Sequence, residues 1–133
     1  MKLIAMVNLP LYVHTTKSHT KKGKVIFNLN NYRNMFHNKN NIAKKEMAKV
    51  IRGMKIPYLG LGPFRLEYIY YHGNKAKVDI ANPCSVIDKF TCDAITSLGL
   101  WPDDNRDYVQ EVVYKWGGVN PGAGYCQLKI YEI

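Results

Sequence analysis

The sequence predicts a single α/β (α+β) domain over residues 1–133, with one mixed sheet of about five strands covered by two helices. Three observations predict it. The chain has 133 residues, enough for one real core and too few for two. Short apolar runs bounded by Asn, Gly and Pro recur along it, as strands do. Two longer stretches, 32–54 and 83–98, carry their apolar residues at helical spacing. The resulting order ββαβαββ, with no internal repeat, implies a layer of sheet and a layer of helix.

Leu3 to Val7 is the first strand, closed by Asn8-Leu9-Pro10 because proline lacks the N–H that a central position needs. Residues 12–24 hold four lysines, two histidines and a glycine with no core face, so a surface loop is expected. Val25 to Phe27 reads as the second strand, and Asn28-Leu29-Asn30-Asn31 supplies helix-capping residue types. The helix over 32–54 sets Met35/Phe36, Ile42/Ala43, Met47, Val50, Ile51 and Met54 on one side. Lys39, Lys44, Lys45, Lys49 and Arg52 take the other sides, and Asn38, Asn40 and Asn41 weaken its middle. Pro57, Gly60, Gly62 and Pro63 break the chain. Phe64 to Tyr71 then alternates, with Phe64, Leu66, Tyr68 and Tyr70 on one face and Arg65, Glu67, Ile69 and Tyr71 on the other. His72-Gly73-Asn74 turns the chain toward Asp79 through Lys75 and Lys77. The second helix tolerates Pro83 in its first turn and stops at Gly99. Ile87, Phe90, Thr91, Ala94 and Leu98 form its buried stripe, which leaves Asp88 and Lys89 at the margins. Tyr108 to Trp116 and Tyr125 to Ile133 are the last strands, joined by a Gly- and Pro-rich loop.

Charge is unevenly spread. The net charge is +9, yet residues 1–66 carry thirteen Lys or Arg against Glu46 alone, while 67–133 carry six against nine acids. Five of the ten acids, Asp79, Asp88, Asp93, Asp103 and Asp104, fall between 78 and 105. Carboxylates gathered in a cationic chain suit a divalent metal held against a polyanion such as nucleic acid. The cationic arm with Lys17, Lys21, Lys22 and Lys24, the helix lysines Lys44 and Lys45, and the turn lysines Lys75 and Lys77 are the candidate DNA contacts. The plainer alternatives are a solubilising basic surface, a turn-capping role for Asp103-Asp104, and an i,i+4 ion pair between Lys89 and Asp93.

Cys84, Cys92 and Cys126 are odd in number and widely spaced; no C-x-x-C occurs, and His14, His19, His37 and His72 miss zinc-ligand spacings. Free thiols in a reducing cytosol are expected. The apolar run K-L-I-A-M-V is too short for a secretory signal and no stretch is long enough to span a membrane, so a cytoplasmic protein is expected.

Three segments carry a resemblance: Asp79-Ile80-Ala81-Asn82, then Asp88-Lys89-Phe90 through Asp93-Ala94-Ile95, then Gly99-Leu100-Trp101-Pro102-Asp103-Asp104-Asn105. Together they resemble the RusA-type Holliday junction resolvases, crossover junction endodeoxyribonucleases of bacteria and their phages. That family shows a D-x-D-N-type segment, a helix with a lysine and an F-D-A-L-like turn, then a glycine, an apolar pair and a D-D doublet. The specific signal covers about a fifth of the chain. The resemblance implies a small homodimeric endonuclease of DNA recombination and repair. Such an enzyme binds four-way junctions and nicks paired strands symmetrically with Mg²⁺, Mn²⁺ being the substitute ion. By position Asp79 matches the first aspartate, Lys89 the helix lysine and Asp103-Asp104 the doublet. Ala81 stands where a second aspartate is expected, and the following connection is about four residues longer, which leaves Asp88 as the substitute ligand. On this resemblance Asp79, Asp88, Asp103 and Asp104 hold the metal, and Asp79, Asp88, Asp104 and Lys89 carry the chemistry. A non-catalytic basic DNA- or RNA-binding module, and a related nuclease acting on flaps or other branched DNA, are the alternatives.

Overall fold

Strict alternation over Phe64–His72 gives the fold its central strand, because every second side chain there is large and apolar and has to be covered. The computed structural model describes residues 1–15, 23–35 and 37–133. In chain order the elements are β1 (Lys2–Leu9), β2 (Tyr12–His14), β3 (Lys24–Ile26), α1 (Leu29–Asn34), α2 (His37–Gly53), β4 (Phe64–His72), α3 (Ala81–Ser97), β5 (Val109–Val119) and β6 (Tyr125–Glu132). Four strands make a mixed sheet in the order β1-β6-β4-β5, and β2 pairs with β3 in a separate antiparallel ribbon. β4 and β5 run parallel with α3 as the crossover between them, whereas β6 is antiparallel to both of its neighbours.

The fold is thus a single α+β arrangement of helices and a mixed sheet. It differs from the sequence reading in three places. The second strand does not join the sheet but pairs with Tyr12–His14, whose Val13 is buried. Residues 12–24 therefore include a short strand with a core residue; their lysines Lys17, Lys21 and Lys22 lie outside the described residues. The helix over 32–54 is two helices. The Asn28 side chain caps α1 by accepting from the Asn31 N–H at 2.8 Å, and Met35 turns extended (φ −75°, ψ 141°), which ends the helix before α2 begins. The side-chain amide of Asn40 donates to the Tyr32 carbonyl at 3.4 Å, so an asparagine that weakens helix propensity satisfies a carbonyl freed at the break.

α3 is the hub of the core. Its buried residues include the predicted Ile87, Phe90, Thr91 and Ala94, and extend to Cys84, Val86, Cys92 and Ile95, because α2 and α1 pack on the side that the sheet leaves open. Phe90 meets Phe27 (5.2 Å between ring centroids) and Tyr32 (5.9 Å), and the Asn82 side chain accepts the Leu29 N–H at 2.8 Å. That bond pins the start of α1 to the first turn of α3. At the other end Trp101, 1% exposed, packs on Phe64 and donates through Nε1 to Thr96 Oγ1 at 2.7 Å, which fixes the turn that follows α3. Phe64, Leu66, Tyr68 and Tyr70 of β4 are buried. The opposite face of that strand carries a chain of ion pairs: Arg65 with Glu67 and Glu111, and Lys115 with Glu67.

Candidate functional site

The acids singled out in the sequence sit at three levels along α3. Asp79 lies just before its first turn and is exposed; its Oδ1 accepts the Ala81 N–H at 3.2 Å. A carboxylate there complements the positive end of the helix dipole. Asp88 lies mid-helix, half-buried against the sheet. Its Oδ1 accepts the Tyr68 hydroxyl at 2.7 Å and the Cys92 thiol at 3.2 Å, and its Oδ2 accepts the Tyr114 hydroxyl at 3.3 Å. Asp103 and Asp104 lie on the turn beyond the helix.

These positions decide which acids meet. Seventeen residues of α3 extend about 25 Å at 1.5 Å per residue, with Asp79 before the first and the Asp103-Asp104 turn after the last. Asp104 does return alongside the final turn. It lines a cleft of about 500 Å³ with Asp93, Asp103, Lys44 and Lys45. Asp79 lines a different cleft, of about 580 Å³, with Lys75, Lys77 and Trp116. Asp79 and Asp104, which the resemblance sets on one metal, thus line separate clefts with an intact helix between Asp79 and the Asp103-Asp104 turn. Among the described residues no three of His, Cys, Asp and Glu converge as a ligand group.

Asp88 and Asp104 have one neighbour in common, the thiol of Cys92. The negative charge of each acts on the Cys92 thiol, which burial, then the charge and hydrogen bond of Asp88, push well above the ordinary thiol range. Burial also pushes the Tyr68 hydroxyl well up, with the nearby Cys92 and Asp88 adding to it, and the Tyr114 hydroxyl is raised in the same way. Both tyrosines stay protonated donors to Asp88 at any ordinary pH. Asp104 has its carboxyl raised by partial burial, then by the hydrogen bond to Asp103 and the charges of Asp103 and Asp93. Asp103 is held low by the Asp104 N–H, which it accepts at 2.8 Å through Oδ1, and by the Asn105 amide at 3.0 Å on Oδ2. Both Asp103 oxygens serve their own turn, the bland role that a doublet in a turn suggests.

The cations fall as follows. Lys44 pairs with Asp93 at 3.5 Å, so the expected Lys89–Asp93 pair gives way to a contact between α2 and α3. Lys89 is exposed, one residue and therefore roughly 100° around the helix from Asp88, and does not line the cleft of Asp104. Lys24 sits on β3 with its ammonium 4.0 Å from the Tyr12 ring centre. Lys75 and Lys77 are exposed. Sequence reasoning did not find Tyr68 and Tyr114 as partners of Asp88. The alternation of Phe64–Tyr71 places Tyr68 on the covered face, but nothing in it reveals which helix residue faces its hydroxyl.

Among the described residues no helix is long and apolar enough to cross a membrane. No family model matches the chain, and no curated protein matches it in sequence.

Proposed function

We propose that the chain is a metal-dependent, structure-specific endodeoxyribonuclease that binds four-way DNA junctions and nicks paired strands, as its resemblance to the RusA-type resolvases implies. The observation that carries this reading beside the resemblance is Asp88. Two protonated tyrosines hold its carboxylate, and among the described residues no ion pair compensates it.

The fit to Mg²⁺ or Mn²⁺ follows from the donor count. Mg²⁺ keeps several of its waters and asks one or two carboxylates of a protein. Asp88, held by Tyr68 and Tyr114, and Asp104, at the cleft with Lys44 and Lys45, would supply that number. When bound, the ion acidifies a coordinated water and offsets charge gathering on the phosphate. The rest falls to side chains of the chain itself. Tyr68 and Tyr114 fix the direction of Asp88. Lys45, with Lys44 once Asp93 shares it, takes a backbone phosphate at the mouth of the cleft. Lys89, exposed one residue from Asp88, meets the neighbouring phosphate. Paired incision needs two such sites, which a two-fold homodimer supplies.

A second reading has an observation of its own. Asp79 and Asp104 line separate clefts and Ala81 replaces the second aspartate of the motif, which suits a module that binds branched DNA without cutting it. One experiment separates the two. A labelled four-way junction, a flap and a linear duplex are incubated with the protein with and without Mg²⁺. Symmetric nicks in the junction alone, dependent on Mg²⁺ and lost in Asp88→Asn, support the resolvase. Equal cutting of all three substrates excludes it, and a bound but uncut junction in both Mg²⁺ and Mn²⁺ leaves the binding module.

A further inference from the structure

The second cleft has no part in the chemistry above, and its composition differs. It lies at the carboxyl ends of the parallel pair β4 and β5, where the chain leaves β4 for α3, and ligand sites of strand–helix–strand units favour that end. One wall is Lys75, Lys77, Val78 and Asp79; the other is Trp116 and Val119 of β5. Trp116 is 49% exposed, and Tyr70, 6.3 Å away between ring centres, packs beside it. The other tryptophan, Trp101, is 1% exposed, so Trp116 is the one indole of the two that is open to a partner. An open indole facing two exposed ammonium groups pairs a stacking surface with a phosphate contact, the two elements that unpaired nucleic acid needs. Asp79 offsets one of the two ammonium charges and is itself turned to the Ala81 N–H at the positive end of α3, so the cleft keeps a net positive charge.

We propose that this cleft holds an unpaired nucleotide of the bound DNA, with its base on the Trp116 indole and its phosphate on Lys75 and Lys77. The proposal rests on the DNA-binding reading above and deepens it: the partner surface is a strand with a base free to leave its stack, which a junction offers and a linear duplex does not. Specificity for branched DNA then resides partly in Trp116, and not only in the carboxylate centre.

The test measures binding in EDTA, so that cutting does not enter it. Labelled oligothymidine, a four-way junction and a linear duplex are titrated with wild type, Trp116→Ala and Trp116→Phe, with Trp101 emission as the check that each variant is folded. Loss of one base stack weakens binding about 5- to 150-fold. Trp116→Ala should therefore lose that factor on oligothymidine, lose a smaller one on the junction, and bind duplex as wild type does. Trp116→Phe should recover most of the loss, and the wild-type indole emission should be quenched by oligothymidine. Lys75→Ala with Lys77→Ala should flatten the salt dependence on oligothymidine by about 1.4 in slope. Wild-type affinity for oligothymidine in Trp116→Ala overturns the proposal while leaving duplex and junction binding intact. Self-association that disappears in Trp116→Ala, with oligothymidine binding unchanged, assigns the patch to a second copy and overturns it too. A wild-type protein that binds no nucleic acid of any kind overturns it together with the reading it rests on.

Discussion

Replacing Asp88 separates a structural role from a chemical one, and the size of each follows from its three bonds. Tyr68 is fully buried and its hydroxyl donates at 2.7 Å to an ionised acceptor. A hydrogen bond of that kind contributes about 1.5–3 kcal/mol, and stranding the donor adds desolvation of the same order. The Tyr114 bond, at 3.3 Å and part-exposed, contributes at most about 0.5 kcal/mol. Asp88→Ala therefore destabilises the fold by about 3–6 kcal/mol, which lowers Tm by roughly 10–20 °C in a domain of this size. Asp88→Asn keeps an amide oxygen for Tyr68 and presents an N–H₂ to the Tyr114 oxygen, so its cost is about 1 kcal/mol. Urea denaturation followed by far-UV circular dichroism gives both numbers. If the two variants agree within about 0.5 kcal/mol, the tyrosine bonds carry no net stability and the account of Asp88 as a carboxylate fixed from the sheet is refuted. If they differ as stated, Asp88→Asn is folded, and loss of junction cleavage in it reports the missing charge.

Asp104→Asn should be at least as stable as wild type at pH 7. A carboxyl raised in the folded state resists ionisation there, so its penalty is present above the folded value and disappears as pH falls through that value to the unfolded one; denaturation midpoints that converge below about pH 4 confirm the sign, and a wild type more stable at pH 7 contradicts it. Gly117→Ala should cost about 1–3 kcal/mol, because a Cβ there would stand 2.6 Å from the Tyr71 ring, and Tyr71 is stacked on Tyr125 at 4.5 Å and cannot simply move aside. Unfolding midpoints check it. Lys44→Ala combined with Lys45→Ala should lower the slope of log affinity against log salt on a four-way junction by about 1.8, and an unchanged slope removes the first cleft from the DNA surface.

The sheet and α3 were legible because periodicity reports burial. Phe64–Tyr71 alternates over its whole length, and α3 shows the predicted stripe with its neighbours added. Where two layers cover one helix the stripe widens, and sequence spacing understates it. The break at Met35 was not legible. The apolar spacing runs through it, and what ends α1 is a local competition, with an Asn28 cap fixing its start and an extended Met35 its end. Residues 12–24 misled for a related reason, since one buried Val13 among charged neighbours is enough to seed a ribbon when Val25 stands opposite it.

The acids show the limit more sharply. Five carboxylates within 28 residues look like one site on paper, but a helix about 25 Å long sets Asp79 at its start and the Asp103-Asp104 turn beyond its end, in separate clefts. Two of the motif residues acquired structural work instead: Asn82 pins α1, and Asp79 complements the start of α3. The side chains that single out Asp88 come from β4 and β5, twenty and twenty-six residues away in sequence. No local pattern announces a contact between a helix and two strands, because the pairing depends on the register in which Tyr68 and Tyr114 face each other across the parallel ladder. That register also puts Trp116 beside Tyr70, two residues further along both strands, and so delivers the open indole to the end of the sheet where Lys75 and Lys77 leave it. One strand alignment thus positions both the carboxylate of the proposed chemistry and the aromatic surface proposed for the unpaired base. A shift of β5 against β4 would displace the two together, whereas single substitutions at Asp88 and Trp116 separate them.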